Sequence, residues 1–525
     1  MIPVSKIKYL AFEGGGGKGV AYLGAIEALE EKGVLPISDD NRQVLGISGS
    51  STGAINALML SLHMNSSEIE NELKNKNFEE FYTKDDPNNA IFRAVFTPRD
   101  KSNNPLKPGG FKNKNQIIVG YAVDSIKEEI TEAYKKSKKK EDLKRYIFPA
   151  DNLFSELNEA QKQSTIVVNK NNSLLSEKIT LLSPLGIDLG LSPNKAISKV
   201  HNAVIKSEKI KNSDDGMLKQ LLSNSTQFPK YVYNILYDRG VFPGFDPREY
   251  FSSLITRIMK EKFDCEVDGS LLSFQEFYEI TEVDIRISGA NISNQIPVYF
   301  SKNDTPDFPV AEAVGMAMSM PLIFKPVYVD AVVHRLKNDE YQKRYRGFYV
   351  DAGTIRNFPI HAFDDEGINP DVLNDSVLGF QLTGGAESIT EFDNSMKLRI
   401  ADEELNNLYK EYEKAYREKY SYIDEKKVPQ VKELDYDKIY PFQFGNINKF
   451  KVDNIVGTSL IEFASKLLDS VMYYTEEGQI RSDIEREQVI NLYTYHIFTR
   501  DFNPLDPLRE FVRKRAFNKT QKLLI

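Results

Sequence analysis

The chain has 525 residues, enough for a large domain with room for an insertion or a second module. Its 41 % hydrophobic and 27 % charged content exclude a disordered chain, and a net charge of −8 gives no basic excess for nucleic acid. A single cysteine, Cys265, cannot close an internal disulfide, and five scattered histidines do not supply a Cys/His zinc site, so a reducing compartment fits.

The first twelve residues enter a strand directly, without the charged head, apolar middle and cleavage site of a secretory signal. No run of about eighteen apolar residues follows anywhere, so the expectation is a chain that is cytoplasmic in the producing cell and meets lipid only from the surface. Residues 7–12 are β-compatible and lead into Gly14-Gly15-Gly16-Gly17-Lys18-Gly19. Residues 20–32 predict a helix, with Tyr22, Leu23, Ile26 and Leu29 at helical spacing and Gly33 as its stop. A second strand over 44–47 runs into Gly49-Ser50-Ser51-Thr52-Gly53, and 53–62 reads as a very apolar second helix. This strand–helix–strand–helix opening predicts a buried, mostly parallel sheet covered by helices.

From about 84 to 230 the pattern loosens into prolines, asparagine-rich loops and a charged helical stretch near 122–145, which reads as a mostly helical insertion. The lysines of 135–140 are read as a solvated face. Regular α/β character returns at Gly240-Val241-Phe242-Pro243-Gly244-Phe245. Helices are expected at 247–260, 274–278 and 310–318, and strands at 284–291, 296–301, before Asp351 and at 376–383. Past Gly384-Gly385 the composition shifts, and 403–420, 454–475, 477–500 and 507–524 read as helices. The expected organisation is a domain over 1–384 carrying the insertion at about 84–230, then an all-helical module over 385–525 for membrane or partner binding. In 506–525, six Lys/Arg against two acids alternate with Leu508, Phe511, Val512 and Phe517. That composition suits an anionic lipid surface, and equally a helix packed on its neighbours.

The chemistry concentrates at Ser51. A serine centred between Gly49 and Gly53, with an apolar strand before it and an apolar helix after it, has the setting of a nucleophile elbow. Ser48 and Ser50 are not centred between two such glycines. The helix N-terminus favours negative charge at the serine. Attack on an ester also needs donors for the developing oxyanion, each worth about 3 kcal/mol, and the N–H groups of Gly15, Gly16 and Gly17 are accessible for want of a Cβ. For the base, His361 lacks a paired glycine-flanked acid, His63 lies on the second helix, and His201, His334 and His496 fall in peripheral pattern. Asp351, ending an apolar strand in Asp351-Ala352-Gly353, is the better candidate and can take the serine proton in one hydrogen bond. Gly14-x-Gly16-x-x-Gly19 also fits a dinucleotide fingerprint, but Asp39 and Asp40 precede the second strand where that reading needs an acid at its end. A phosphate-binding P-loop fails because glycine follows Lys18.

Taken together, the glycine run with Lys18 and Gly19, the Gly49–Gly53 serine motif and Asp351-Ala352-Gly353 resemble the patatin-like phospholipases. Gly240-Val241-Phe242-Pro243-Gly244-Phe245, the 311–326 segment and Asn357-Phe358-Pro359-Ile360 add to the likeness, which covers roughly 7–83 and 240–384. Alanine stands at 352 where many members have glycine. The resemblance implies a three-layer α/β/α lipid acyl hydrolase with a Ser51–Asp351 dyad, an oxyanion hole at Gly15–Gly17 and no cofactor. Gly14, Lys18, Gly19, Gly49, Gly53 and Gly353 would support the motifs. Within the family the architecture is most similar to secreted bacterial effectors of the ExoU/VipD type. That likeness implies export by a specialised system into a host cell, action at phospholipid membrane surfaces, and activation by a host protein such as ubiquitin or a small GTPase. The alternative is a patatin-fold scaffold that is catalytically silent.

Overall fold

A computed structural model describes residues 3–76, 81, 93–96, 118–121, 240–242, 244–329, 344–369, 372–383, 407, 410–411, 414, 483–495, 497 and 506–525. The first strand, β1 (Tyr9–Phe12), lies inside the sheet, parallel to β2 (Gly46–Gly49) on one side and to β11 (Val377–Thr383) on the other. β2 in turn runs parallel to β6 (Asp284–Asn291). Strands alternate their side chains between faces, and β1 shows why both faces are covered. Leu10 and Phe12 enter the main core, whereas Ala11 belongs to a second cluster with Phe358, Ile360 and Phe363, against which Tyr9 packs.

Helices form the layer over the main core. They are α1 (Ala21–Glu31), α2 (Thr52–Ser61), α3 (Ser66–Asn75), α4 (Phe245–Phe263), α5 (Phe274–Thr281) and α6 (Val310–Ala317). Local sequence starts two of them well. Asn65 and Glu68 form a capping box on α3, and Ser273 and Glu276 form another on α5. α2 is apolar on almost every side because it is wedged among β1, β2, β6 and α6, and Gly53 through Ser61 are all buried. The opposite face carries the 3-10 helix Ile360–Glu366. The result is the three-layer α/β/α arrangement around a mostly parallel sheet.

Beyond β6 the sheet becomes mixed, with most pairs antiparallel and β3 parallel to β9. β7 (Ile296–Phe300) pairs along one edge of β6, and β10 (Gly347–Val350) pairs along the other, followed by β9 (Val327–Val329). β3 (Arg93–Phe96) and β4 (Ile118–Tyr121) extend the sheet past β9. These eight residues are the described part of the stretch expected as a mostly helical insertion, and they are strands. A separate two-stranded ribbon joins β5 (Gly240–Phe242) to β8 (Leu322–Phe324).

The sequence-based helix over 477–500 is corrected by the structure. Among the described residues of that span only the short turn α7 (Asp483–Arg486) is helical, and β12 (Val489–Tyr493) joins the sheet parallel to β11. Ile490 and Leu492 are buried, and their one-residue spacing is that of a strand. The last helix, α8 (Asp506–Leu523), fits its expected span, but its apolar residues do not form a lipid-facing stripe. Leu508, Phe511, Val512 and Ala516 belong to the main core, against α1. Arg513 pairs with Glu27 and Glu70, and the Val4 N–H donates to the Ile525 carbonyl at 2.8 Å. The helices expected at 122–145, 403–420 and 454–475 lie largely or wholly outside the described residues, as does the chain around Gly384-Gly385.

Gly24 lets α8 approach α1 so closely: a Cβ there would lie 2.0 Å from the Arg513 carbonyl oxygen and 2.8 Å from the Phe517 nitrogen. Gly24→Ala would gain about 1 kcal/mol of helix propensity. Forcing two backbones apart costs more, about 2–3 kcal/mol, so the variant is expected to melt several degrees below wild type. A higher melting midpoint would show that α8 does not sit on α1 in this way.

Candidate active site

Ser51 stands between β2 and α2 with φ 48° and ψ −123°, a positive φ that a serine rarely adopts. Its neighbours impose it. A Cβ on Gly49 would lie 2.2 Å from the Gly53 carbonyl oxygen, and one on Gly53 would lie 2.3 Å from that of Phe12. The two glycines therefore let the end of β2, the first turn of α2 and the end of β1 close on one another, and the chain between them is thrown into a strained turn of order 1–3 kcal/mol. Ser51 is 6 % exposed, and its hydroxyl is presented at the start of α2.

Asp351 reaches it from the other direction. β2 pairs with residues 284–287 of β6, and β10 pairs with 290–291 on the same edge, running the opposite way. The two strands thus point their C-terminal ends at each other across a gap of two β6 residues. Asp351 follows β10 directly, and Ser51 Oγ donates to Asp351 Oδ2 at 2.9 Å. Asp351 Oδ1 accepts the Gly353 N–H at 2.7 Å, and the Asp351 N–H donates to the Ser319 carbonyl at 2.8 Å. The carboxyl is buried, and its pKa is pushed up to about 6 by loss of water, held from rising further by the Gly353 N–H and the Ser51 hydroxyl. Alanine at 352 is itself buried and fits the turn without disturbing these bonds.

The glycine run lies against the serine. A Cβ on Gly14 would come within 2.9 Å of Ser51 Cβ. Gly14 donates to the Asn357 carbonyl and Lys18 to the Gly15 carbonyl, each at 3.1 Å. Among the described residues, no acceptor takes the N–H groups of Gly15, Gly16 or Gly17. Gly16 has φ 53° and opens the 3-10 turn Gly16–Val20, which carries Lys18 and Gly19. Gly19 packs on the Thr52 side chain, and Thr52 Oγ1 donates to the Gly16 carbonyl at 2.9 Å.

The other sequence candidates stand elsewhere. His361 Nδ1 lies 2.8 Å from Asp364 Oδ2. His63 Nε2 lies 3.0 Å from the Thr281 carbonyl, and burial lowers its pKa. His201, His334 and His496 are outside the described residues. Ser48 Oγ donates to the Pro359 carbonyl at 3.0 Å, inside the sheet. Asp39, of the dinucleotide alternative, is a surface partner of Arg42. Two residues at the site were not singled out for it by the motifs. Asn357 holds the Gly14 carbonyl through Nδ2 at 2.8 Å, and Glu13 accepts the Leu382 N–H at 2.6 Å, tying the start of the glycine run to β11. Only the position of Asn357 shortly after the Asp351 turn signalled the first. A lone acid inside an apolar strand end, Phe12-Glu13-Gly14, signalled the second.

A strained serine bonded to a buried acid thus sits beside a glycine loop on the α/β/α sheet. The chain belongs to the patatin-like phospholipase family, whose family model, Patatin, matches residues 10–364. Among solved structures it is similar to VipD from Legionella pneumophila, at 14 % identity and a TM-score of 0.36, covering 99 % of this chain and 66 % of that one. It is also similar to ExoU of the Pseudomonas aeruginosa type III secretion system in its complexes with SpcU. One such structure shows 17 % identity and a TM-score of 0.22 over 62 % of this chain and 44 % of that one. Another shows 13 % and 0.27 over 99 % and 51 %. The chain thus spans between 44 % and 66 % of the length of these three structures. No curated protein matches it significantly.

Proposed function

We propose that the chain is a serine lipid acyl hydrolase, of phospholipase A or lysophospholipase type, that cleaves acyl esters of glycerophospholipids. The observation that carries this is the 2.9 Å hydrogen bond from Ser51 Oγ to Asp351 Oδ2 within a patatin-family chain. In this reading Asp351 accepts the serine proton as Ser51 attacks the ester carbonyl. The N–H groups of Gly15, Gly16 and Gly17, helped by the N-terminus of α2, stabilise the oxyanion. Collapse of the tetrahedral intermediate expels the lysolipid alcohol, protonated by Asp351, and leaves an acyl ester on Ser51. Water, deprotonated by Asp351, then releases the fatty acid and restores the serine. All these steps use groups of this chain and require no cofactor.

We further propose that the domain carrying this site spans 1–384, with the remaining chain and the 84–230 insertion serving a membrane surface or a partner. Residues 489–493 and 506–523 are an exception, since they complete the sheet and its helical layer. Among the described residues no helix is long and apolar enough to cross a membrane. Following the effector-type resemblance, the site would await a eukaryotic activator protein, ubiquitin or a small GTPase being the candidates. The test is release of fatty acid from labelled phospholipid vesicles, with and without eukaryotic lysate, by wild type and Ser51→Ala. Lysate-stimulated release by wild type alone supports the reading. Equal release by the variant rejects the dyad, and silence from wild type under both conditions favours the scaffold alternative.

The pH profile follows from the Asp351 environment. The base acts as carboxylate, so kcat/KM is expected to be flat above a pKa of about 6 and to fall tenfold per pH unit below it. An acid limb near 4 would mean that the carboxyl is solvated in the working enzyme.

A further inference from the structure

The glycine run has little of its own to hold it in place, since glycines carry no side chains and restrict φ and ψ least. Beside the main-chain bond from Gly14 to Asn357 and the Glu13 tie to β11, two side chains reach in to it from the two halves of the site. From the turn after Asp351, Asn357, which is fully buried, donates its side-chain Nδ2–H to the Gly14 carbonyl at 2.8 Å, while its backbone carbonyl accepts the Gly14 N–H at 3.1 Å. From the first turn of α2, Thr52 donates Oγ1–H to the Gly16 carbonyl at 2.9 Å. The fit is close: a Cβ on Gly14 would lie 2.3 Å from Asn357 Oδ1, and one on Gly19 would lie 2.1 Å from Thr52 Cγ2. These bonds take the carbonyls on either side of Gly15 and turn three successive peptide units so that their N–H groups have no acceptor among the described residues.

We propose that Asn357 and Thr52 are positioning residues that clamp the glycine loop at Gly14 and Gly16, fixing the oxyanion donors relative to Ser51. Neither touches the reacting atoms. Asn357 ties the loop to the Asp351 turn, and Thr52 ties it to the nucleophile helix, so a shift of either half moves donors, nucleophile and base together. The proposal rests on the reading of Ser51 as nucleophile. A donor displaced by even 1 Å loses much of its value in the transition state and little in substrate binding.

The test uses the full chain under the conditions that support wild-type turnover, with Ser51→Ala as a parallel control. Asn357→Ala is expected to lower kcat about 100-fold with KM within about twofold. Labelling of Ser51 by a fluorophosphonate, whose tetrahedral adduct uses the same donors, is expected to slow by a similar factor. The acid limb near 6 should stay in place, because Asp351 keeps its bonds to Ser51 and Gly353. Thr52→Val, which keeps the methyl beside Gly19 and removes only the Gly16 bond, is expected to lower kcat about tenfold and tests the same clamp should Asn357→Ala fail to fold. Wild-type kcat and labelling rates in a folded variant, or a change confined to KM, would overturn the proposal. If Ser51→Ala remained active, the reading beneath it would have failed instead.

Discussion

Replacing Asp351 by asparagine is expected to give a chain that is more stable and about ten-thousand-fold less active. The two effects share one cause. Burial raises the Asp351 pKa from the ordinary 3.8 to about 6, so the folded state binds this proton more tightly than the unfolded chain does. At pH above 6 the folded state therefore carries the cost of a buried charge, up to about 3 kcal/mol, and that cost fades as pH falls from 6 towards 3.8. Asparagine removes the charge, keeps an oxygen for the Gly353 N–H, and presents an amide to Ser51 Oγ in place of the acceptor. It cannot take the serine proton, and loss of the acid from a hydrolase triad costs about this factor. Thermal unfolding at pH 7.5 should show a raised midpoint, with the gain shrinking at pH 4. A variant that is destabilised at pH 7.5, or that retains more than a few per cent of wild-type kcat, would contradict the assignment.

Ser51→Ala is the second large effect. Alanine retains the elbow and loses the nucleophile, so turnover is expected to drop by at least about ten-thousand-fold, leaving only what the oxyanion donors and binding supply. Alanine also keeps the positive φ, so its stability should stay near wild type. Ser51→Gly relaxes that φ at equal catalytic loss and should be more stable than Ser51→Ala by about 1 kcal/mol. A Ser51→Gly chain no more stable than Ser51→Ala would mean that the turn is not strained.

The parts of the fold legible in the sequence were those written in contiguous residues. β1, the glycine run, α1, β2, the serine turn and α2 follow one another within sixty residues, and each leaves a local mark: a short apolar run, a helical spacing, a glycine pair. Asp351 was legible as a strand-ending acid. The reason it reaches Ser51 was not, because that depends on β10 lying antiparallel on the same edge of β6 as β2, a pairing between residues far apart in sequence. β12 was missed for a similar reason. Ile490 and Leu492 show strand periodicity for only five residues, inside a stretch whose charges suit a helix, and their partner is β11, about 110 residues earlier. The amphipathic character of α8 was visible, but which surface it served was decided by Gly24 on α1. Asn357 shows in the sequence only a likeness to a motif, because a side chain that bonds a backbone carbonyl leaves no compositional trace.

Ser51 is expected to carry the acyl group between lipid and water. The most direct measurement of this is rapid acid quench of the chain during turnover of a phospholipid with one defined acyl chain, in the presence of lysate, followed by mass spectrometry of the digested protein. The mass of that acyl chain is expected on the peptide holding Ser51, and is expected to be absent from Ser51→Ala. Steady turnover with the acyl group on a different residue, or turnover undiminished in Ser51→Ala, would contradict it.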